Sequence, residues 1–270
     1  MKEFRRIVDT TLRDGLQSPG IFLSEDERVR LALLLDRAGV YQIEAGIPAM
    51  GESEIRPIER ILHDRERARI SLWSRLNTED VRIATRLNPD VIHISIPVSY
   101  LHIYTKLGKN KTWVINKLQE VLDIVSGSTA KLSVGFEDAS RADLAFLMRV
   151  LLILEPFGTD MIRLADTVGI TSPCGIRDLV RSIHNFTRIP LEIHAHNDFG
   201  MAVANTAQAL RSGCLYADTT LCGIGERSGN CEIAALLNLL QSVYDFGINR
   251  NVLEEAEAFL RQTNMLSVMR

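Results

Sequence analysis

Residues 131–166 read KLSVGFEDASRADLAFLMRVLLILEPFGTDMIRLAD, and the period of the pattern changes twice along them. Lys131 to Glu137 is short and β-branched enough for a strand; Arg141 to Leu154 carries apolar residues three and four apart, as a helix lying on a sheet does; Met161 to Asp166 is again a strand. Strand, helix and strand in succession make a βαβ unit, which implies parallel strands. Outward from this unit the same alternation predicts strands over Arg6–Thr11, Gln42–Ile47, Ile70–Arg75 and Val91–Pro97, and, beyond it, over Leu191–His196 and Ala217–Cys222. The total is eight. Helices are expected between them, among them Asn110–Val125 and Cys231–Phe246. Capping signals at Ser24–Glu27 and Asn77–Asp80 start two helices, and Gly39, Gly158 and Gly213 sit where helices should stop.

Eight βα repeats in 270 residues fit one (β/α)8 TIM barrel, which typically runs to about 250 residues. The runner-up, an open doubly wound sheet, lacks the glycine-rich GxGxxG turn after the first strand. The expected organisation is an α/β class TIM-barrel catalytic domain over 1–247 with a short C-terminal helical extension over 248–270, its helix falling near Asn251–Gln262. Hydrophobic residues at 46%, charged residues at 24% and a net charge of -3 describe an ordinary globular chain. Near charge balance leaves no electrostatic footprint for nucleic acid or for an anionic membrane, so neither is expected as a partner. The opening MKEFRRIVDTTLRDG has no apolar run of signal-peptide length and nothing later approaches a membrane span, so a cytoplasmic location is expected. Cys174, Cys214, Cys222 and Cys231 show no CxxC spacing and read as reduced thiols.

Barrels of this kind place chemistry at the C-terminal ends of their strands, and three polar segments fall there: Asp9-Thr-Thr-Leu-Arg-Asp14-Gly-Leu-Gln17, His194-Ala-His196-Asn-Asp198 and Gly223-Ile-Gly-Glu-Arg-Ser-Gly-Asn230. Histidines two apart on a strand face the same side, here the interior, where both can meet one cation. The first, seventh and eighth strands become neighbours on closure, so Asp14 and Asn230 reach the same point. One carboxylate, two imidazoles and one amide oxygen suit Mn2+, Mg2+, Zn2+ or Co2+. The alternative is a pair of satisfied core histidines, with Asp14 paired to Arg13.

DTTLRDG, HAHND and GIGERSGN, in that order, resemble the signature segments of the isopropylmalate and homocitrate synthase family. GIPAMGE at 46–52, HISIPVSYLHIYTKLG at 93–108, VGFEDASRAD at 134–143 and RLADTVG at 163–169 look most like the nitrogen-fixation-type homocitrate synthases. What the resemblance implies is a Claisen condensation of acetyl-CoA with a 2-oxo acid, 2-oxoglutarate in the homocitrate branch, followed by thioester hydrolysis. By the same match Asp14, His194, His196 and Asn230 are the metal ligands, Arg13 stabilises the developing alkoxide, and Gln17, His93, Glu137 and Thr167 line or support the 2-oxo acid site. Each of the last four also has a structural role open to it: Gln17 in a loop, His93 in the core, Glu137 paired with Arg163, Thr167 as a strand-end cap. Glu44 either joins the lining or pairs with Arg75.

Three positions depart from the family. Leu16 stands where glutamate is common, a feature shared with HMG-CoA lyases; Gly135 stands where many relatives have serine; Ser133 stands where lysine-pathway homocitrate synthases carry an arginine for the distal carboxylate. The readings kept alongside homocitrate synthesis are a citramalate- or isopropylmalate-type synthase, a lyase, and a non-catalytic metal-binding subunit. Family synthases also continue beyond the barrel, so the expected assembly is a homodimer or a complex with a second synthase subunit.

Overall fold

Strands buried on both faces need cover on both, and here the chain supplies helices outside and its own side chains inside. The computed structural model of the chain describes residues 2–268, with side chains to Thr263. In chain order the elements are β1 (Glu3–Phe4), β2 (Arg6–Asp9), α1 (Glu25–Ala38), β3 (Gln42–Gly46), α2 (Glu52–Asp64), β4 (Arg69–Arg75), α3 (Thr78–Arg86), β5 (Val91–Pro97), α4 (Lys111–Ser126), β6 (Lys131–Glu137), α5 (Leu144–Leu154), β7 (Met161–Asp166), α6 (Pro173–Phe186), β8 (Leu191–Ala195), α7 (Ala202–Ser212), β9 (Tyr216–Thr219), α8 (Ile233–Leu240), β10 (Tyr244–Asp245) and α9 (Arg250–Val268). β2 to β9 form a closed barrel in sequence order, every pairing parallel, and β2 closes on β9 with Arg6 opposite Tyr216 and Asp9 opposite Thr219. The fold is the expected TIM barrel.

Local signals hold where they rest on a specific hydrogen bond. Ser24 and Glu27 form a full capping box at α1, and Asn77 accepts from the Glu79 and Asp80 amides at the start of α3. Gly39 ends α1 in the left-handed region at φ +89. Boundaries shift by one to three residues at several elements, the first barrel strand stopping at Asp9 and α5 starting at Leu144 among them, and differ most at the last strand and the last barrel helix. The eighth barrel strand stops at Thr219, because Leu221–Gly223 turns and Cys222 adopts φ 54. Helix α8 ends at Leu240, short of Phe246, and the residues beyond it include β10, which pairs with β1 as a two-stranded parallel ribbon outside the barrel. Two-residue strands carry no periodicity and were not expected. Helix α9 begins one residue before the expected helix, extends to Val268 and packs on α1; residues 1, 269 and 270 of the expected ranges lie outside the described residues.

Even-numbered positions on β7, Ile162 and Leu164, face the helices and are fully buried with the apolar cluster that fills that layer. Odd positions face the barrel axis, which is why the interior holds Arg163 instead. Among the described residues no helix is long and apolar enough to cross a membrane. All four cysteines are unpaired.

Candidate active site

The turn after β2 is pinned before it carries any chemistry. The amides of Arg13, Asp14 and Gly15 all donate to the Thr10 carbonyl, Thr10 Oγ1 donates to Asp218 Oδ1 at 2.6 Å, and Thr11 Oγ1 donates to Asp9 Oδ2 while accepting the Leu221 amide. The first strand's loop is thereby tied to the eighth barrel strand, and Asp14 is delivered to the axis, 2% exposed.

There it meets the histidines at the end of β8. The Nε2 atoms of His194 and His196 face one another at 3.1 Å, and Asp14 Oδ2 lies 3.3 Å from His194 Nε2. Asn230 Nδ2 donates to Asp14 Oδ1 at 3.2 Å, while Asn230 Oδ1 is buried with no partner. Asn230 is set in place by its glycines: Gly225 lies against its amide so closely that a Cβ there would collide, and Gly229 at φ +89 lies against the Gly223 carbonyl. The segment 223–230 therefore turns the chain so as to aim one side chain. Arg227 in it donates through Nε and Nη2 to the Asp198 carboxylate and through Nη2 to the Thr167 carbonyl, strapping the loops after β9, β8 and β7 together.

Electrostatics at this point favour one added positive charge. Burial opposes ionisation of Asp14, but the Arg13 guanidinium and then His194 hold its carboxyl well below the usual range. Burial likewise opposes charge on His194, yet Asp218 and Asp14 raise it to about 9; burial and that charge push His196 down to about 3. A charged His194 ring thus faces a neutral His196 ring across the two Nε2 atoms. A divalent cation fits the same place: two convergent imidazole nitrogens, an ionised carboxylate and an unpartnered amide oxygen are its donor set. Asp218 Oδ2, 3.0 Å from His194 Nδ1, lies where an orienting carboxylate behind a ligating imidazole is found.

Arg13 bridges this point to the barrel floor, with Nη1 2.7 Å from Asp14 Oδ2 and Nε 2.6 Å from Glu44 Oε1. Gln17, His93, Glu137 and Thr167 line the same cavity, together with Ile47, Trp73, Ser95, Gly135, Arg163, Ala165 and Glu226. Of the structural roles open to them, Thr167 does act as a cap, accepting the Asp138 amide at 2.8 Å. Glu137 does not pair with Arg163; its Oε2 lies 3.7 Å from Nδ1 of the His102 ring. Glu44 does not pair with Arg75, whose partner is Asp80. Arg163 and Arg13 share Glu44, and burial, which would raise that carboxyl, is overcome by the two guanidiniums, which hold it far below its ordinary value.

Arg163, Glu192, Asp218 and Trp73 escaped the sequence reading as site residues. The signal for Glu192 was present: Glu192, His194 and His196 are two apart and share one face of the same strand. Arg163 likewise stands two before Ala165 on β7. Trp73 had only its place on a predicted strand.

A family model described as HMGL-like matches residues 5–259. The chain is 41% identical over 237 residues to the homocitrate synthase subunit alpha of Clostridium pasteurianum, covering 88% of each chain. It is 36% identical over 256 residues to 2-isopropylmalate synthase 2 of Caldanaerobacter subterraneus subsp. tengcongensis, covering 94% of this chain and 67% of that one. The crystal structure of the HMG-CoA lyase of Bacillus subtilis superposes with a TM-score of 0.86 at 18% identity, covering 97% of this chain and 94% of the lyase, a likeness of fold alone. With its barrel, its site and these similarities together, the chain belongs to the HMGL-like family, on the side of the homocitrate and isopropylmalate synthases.

Proposed function

We propose that the chain is an acyltransferase that condenses acetyl-CoA with 2-oxoglutarate, giving homocitrate and free CoA, and that it works as one subunit of a two-subunit synthase. The observation that carries the reading is the convergence of Asp14, His194 and His196 beside the Arg13 guanidinium, in a chain 41% identical to a homocitrate synthase subunit alpha. In the reaction the acetyl methyl group loses a proton, its carbon bonds to the ketone carbon of the 2-oxo acid, and water cleaves the thioester.

Held by Asp14, His194, His196 and Asn230, a divalent cation would supply Lewis-acid stabilisation of the 2-oxo acid's oxygens. Arg13 aims a second positive charge at the ketone oxygen as it becomes an alkoxide; its own position is fixed by Asp14 and Glu44. Glu137 stands on β6, across the barrel from β2, as the carboxylate placed to hold or pass a proton on the opposite wall. Gln17, His93 and Thr167 orient the 2-oxo acid. Catalysis belongs to the barrel over 1–247, and 248–270 is a C-terminal helical extension of it.

Support for a second subunit comes from the relative named subunit alpha and from the rim of the mouth. On loops that follow barrel strands, Phe22, Met50, Tyr100, Leu107, Ile170 and Phe199 are all exposed, an apolar collar suited to being covered. The test is CoA release, read with a thiol reagent, from acetyl-CoA and 2-oxoglutarate with Mn2+ or Mg2+, alongside pyruvate and 2-oxoisovalerate, before and after EDTA. Release that needs 2-oxoglutarate and metal, and rises on adding the second subunit, is expected. Equal release with EDTA present, or none with any acid in the assembled complex, would refute the reading.

A further inference from the structure

Two carboxylates adjacent in the sequence close on one imidazole behind the wall of the cavity. Glu137 ends β6 and lines the cavity, with its Oε2 3.7 Å from Nδ1 of His102, and Asp138 Oδ2 lies 3.9 Å from Nε2 of the same ring. Consecutive residues of a strand point to opposite faces, so sequence neighbours do not ordinarily share a partner. Here the chain leaves β6 at Asp138 with φ 62, a left-handed conformation uncommon outside glycine, and that turn brings the second carboxylate round to the ring. Asp138 is fully buried, accepts from Arg141 Nε and Nη2, and donates its amide to Thr167 Oγ1. His102 is delivered by a single π turn over Leu101–Lys106, anchored by the fully buried Ile103 and by Ser99 Oγ, which accepts the His102 amide at 3.1 Å.

The set has room for one more proton. His102 Nδ1 is buried and has no hydrogen-bond partner among the described residues. A neutral imidazole carries one N–H and cannot answer a carboxylate at each of its nitrogens; with one further proton it answers both. The condensation sets such a proton free when the acetyl methyl group is deprotonated beside Glu137. Both contacts lie just beyond hydrogen-bond length, and catalytic contacts of this kind commonly tighten only around the reacting molecules.

We propose that His102, backed by Asp138, takes over the proton that Glu137 removes from acetyl-CoA. As the C–H bond breaks, its electron pair makes the new C–C bond. The proton goes to Glu137 and from there to His102 Nδ1, which leaves Glu137 a carboxylate again and an imidazolium between two carboxylates. The ring is 12% exposed, so water carries the proton off, and the alkoxide is protonated from the same water; none accumulates. The proposal rests on the condensing activity argued above and adds the group behind its carboxylate. His102 touches no substrate; it is a positioning residue that acts through Glu137.

The experiment compares His102→Asn and His102→Gly in the assembled protein with Mn2+, reading kcat and KM from CoA release and 2-oxoglutarate binding from calorimetry. His102→Asn keeps an N–H near the place of Nδ1 but takes up no proton, so kcat should fall by about 10–10²-fold while 2-oxoglutarate binding stays within about twofold of the wild type. Added imidazole should restore turnover to His102→Gly, and pyrazole, which has the same shape and is scarcely basic, should not; His102→Asn still reports if the glycine variant fails to fold. In a Glu137→Gln background His102→Asn should cost nothing further, because the two groups act in series. Wild-type kcat in His102→Asn, a parallel loss of 2-oxoglutarate binding, rescue by both azoles or by neither, or full additivity with Glu137→Gln overturns the proposal and leaves the condensing activity standing. If the wild type itself releases no CoA with any acid, both fail.

Discussion

The inside of the barrel and the layer between barrel and helices are built from alternate residues of the same strands, and they are chemical opposites. On β7, Leu164 faces outward into a continuous apolar layer, while Arg163 beside it faces inward to Glu44, Glu192 and Asp218. The outer layer holds the fold; the inner one holds charges in fixed places at a cost in desolvation that the outer layer must offset. Substitutions in the two layers should therefore fail in opposite ways.

The sharpest break is His196→Ala. Removing one of the two facing imidazoles should lower metal-dependent turnover by about 10²–10³-fold, as loss of one stabiliser of a developing oxyanion does, with the urea unfolding midpoint nearly unchanged. Its mirror image is Leu164→Ala, fully buried in the outer layer: about 2–5 kcal/mol of stability should go, with turnover per folded molecule kept. If His196→Ala unfolds the protein, or Leu164→Ala spares it, the division between the layers is wrong.

Asp218→Asn probes the boundary. It removes the carboxylate 3.0 Å from His194 Nδ1 and should weaken Mn2+ binding by about 10–100-fold. Asp9 tests the cost of inward charge directly. Burial, then the Asp218 charge, push its carboxyl up to about 7 against two hydrogen bonds from Thr11. The folded protein thus keeps a proton that the unfolded chain has already lost, so stability falls as pH rises from the ordinary carboxylate range to about 7 and is level above it. Between pH 6 and pH 8 the wild type should lose about 1 kcal/mol that Asp9→Asn does not, measured as the difference between their denaturation midpoints. Arg227→Ala is the mildest: its strap is partly exposed, so stability should move by about 1 kcal/mol or less, with the change appearing as a higher KM for the 2-oxo acid.

The two layers were also unequally legible in the sequence. The outer one was plain, because apolar periodicity is a local property: β5, β6 and β7 fell where the alternation put them, residue for residue. The cluster of Asp14, His194 and His196 was legible for a related reason, since HAH places two imidazoles on one face whatever surrounds them. The charged floor was not, because its pairs lie far apart along the chain; Arg163 and Glu44 are 119 residues apart and nothing local in either strand announces the other. The two alternative pairings, Glu137 with Arg163 and Glu44 with Arg75, are not made, for that reason. Helix α8 was overextended because its apolar pattern runs past the residue where the backbone turns away to pair with β1.

Closure of the barrel through β2 and β9 has a consequence during synthesis. The partner of Asp9 is Thr219, and Thr10 Oγ1 waits for Asp218, 208 residues later. On the ribosome β2 has β3 on one side and an open edge on the other until nearly the whole chain has emerged, and β1 waits longer still, for Tyr244 and Asp245. Contacts so distant along the chain form late and slowly, and an open edge invites pairing with other chains in the meantime. Arg6, on the strand that waits, stacks its guanidinium 4.1 Å from the Tyr41 ring, and that strand also carries Asp9. An edge bearing charges at both ends is a poor template for a stranger, so the residues that later serve the finished barrel also protect the nascent one.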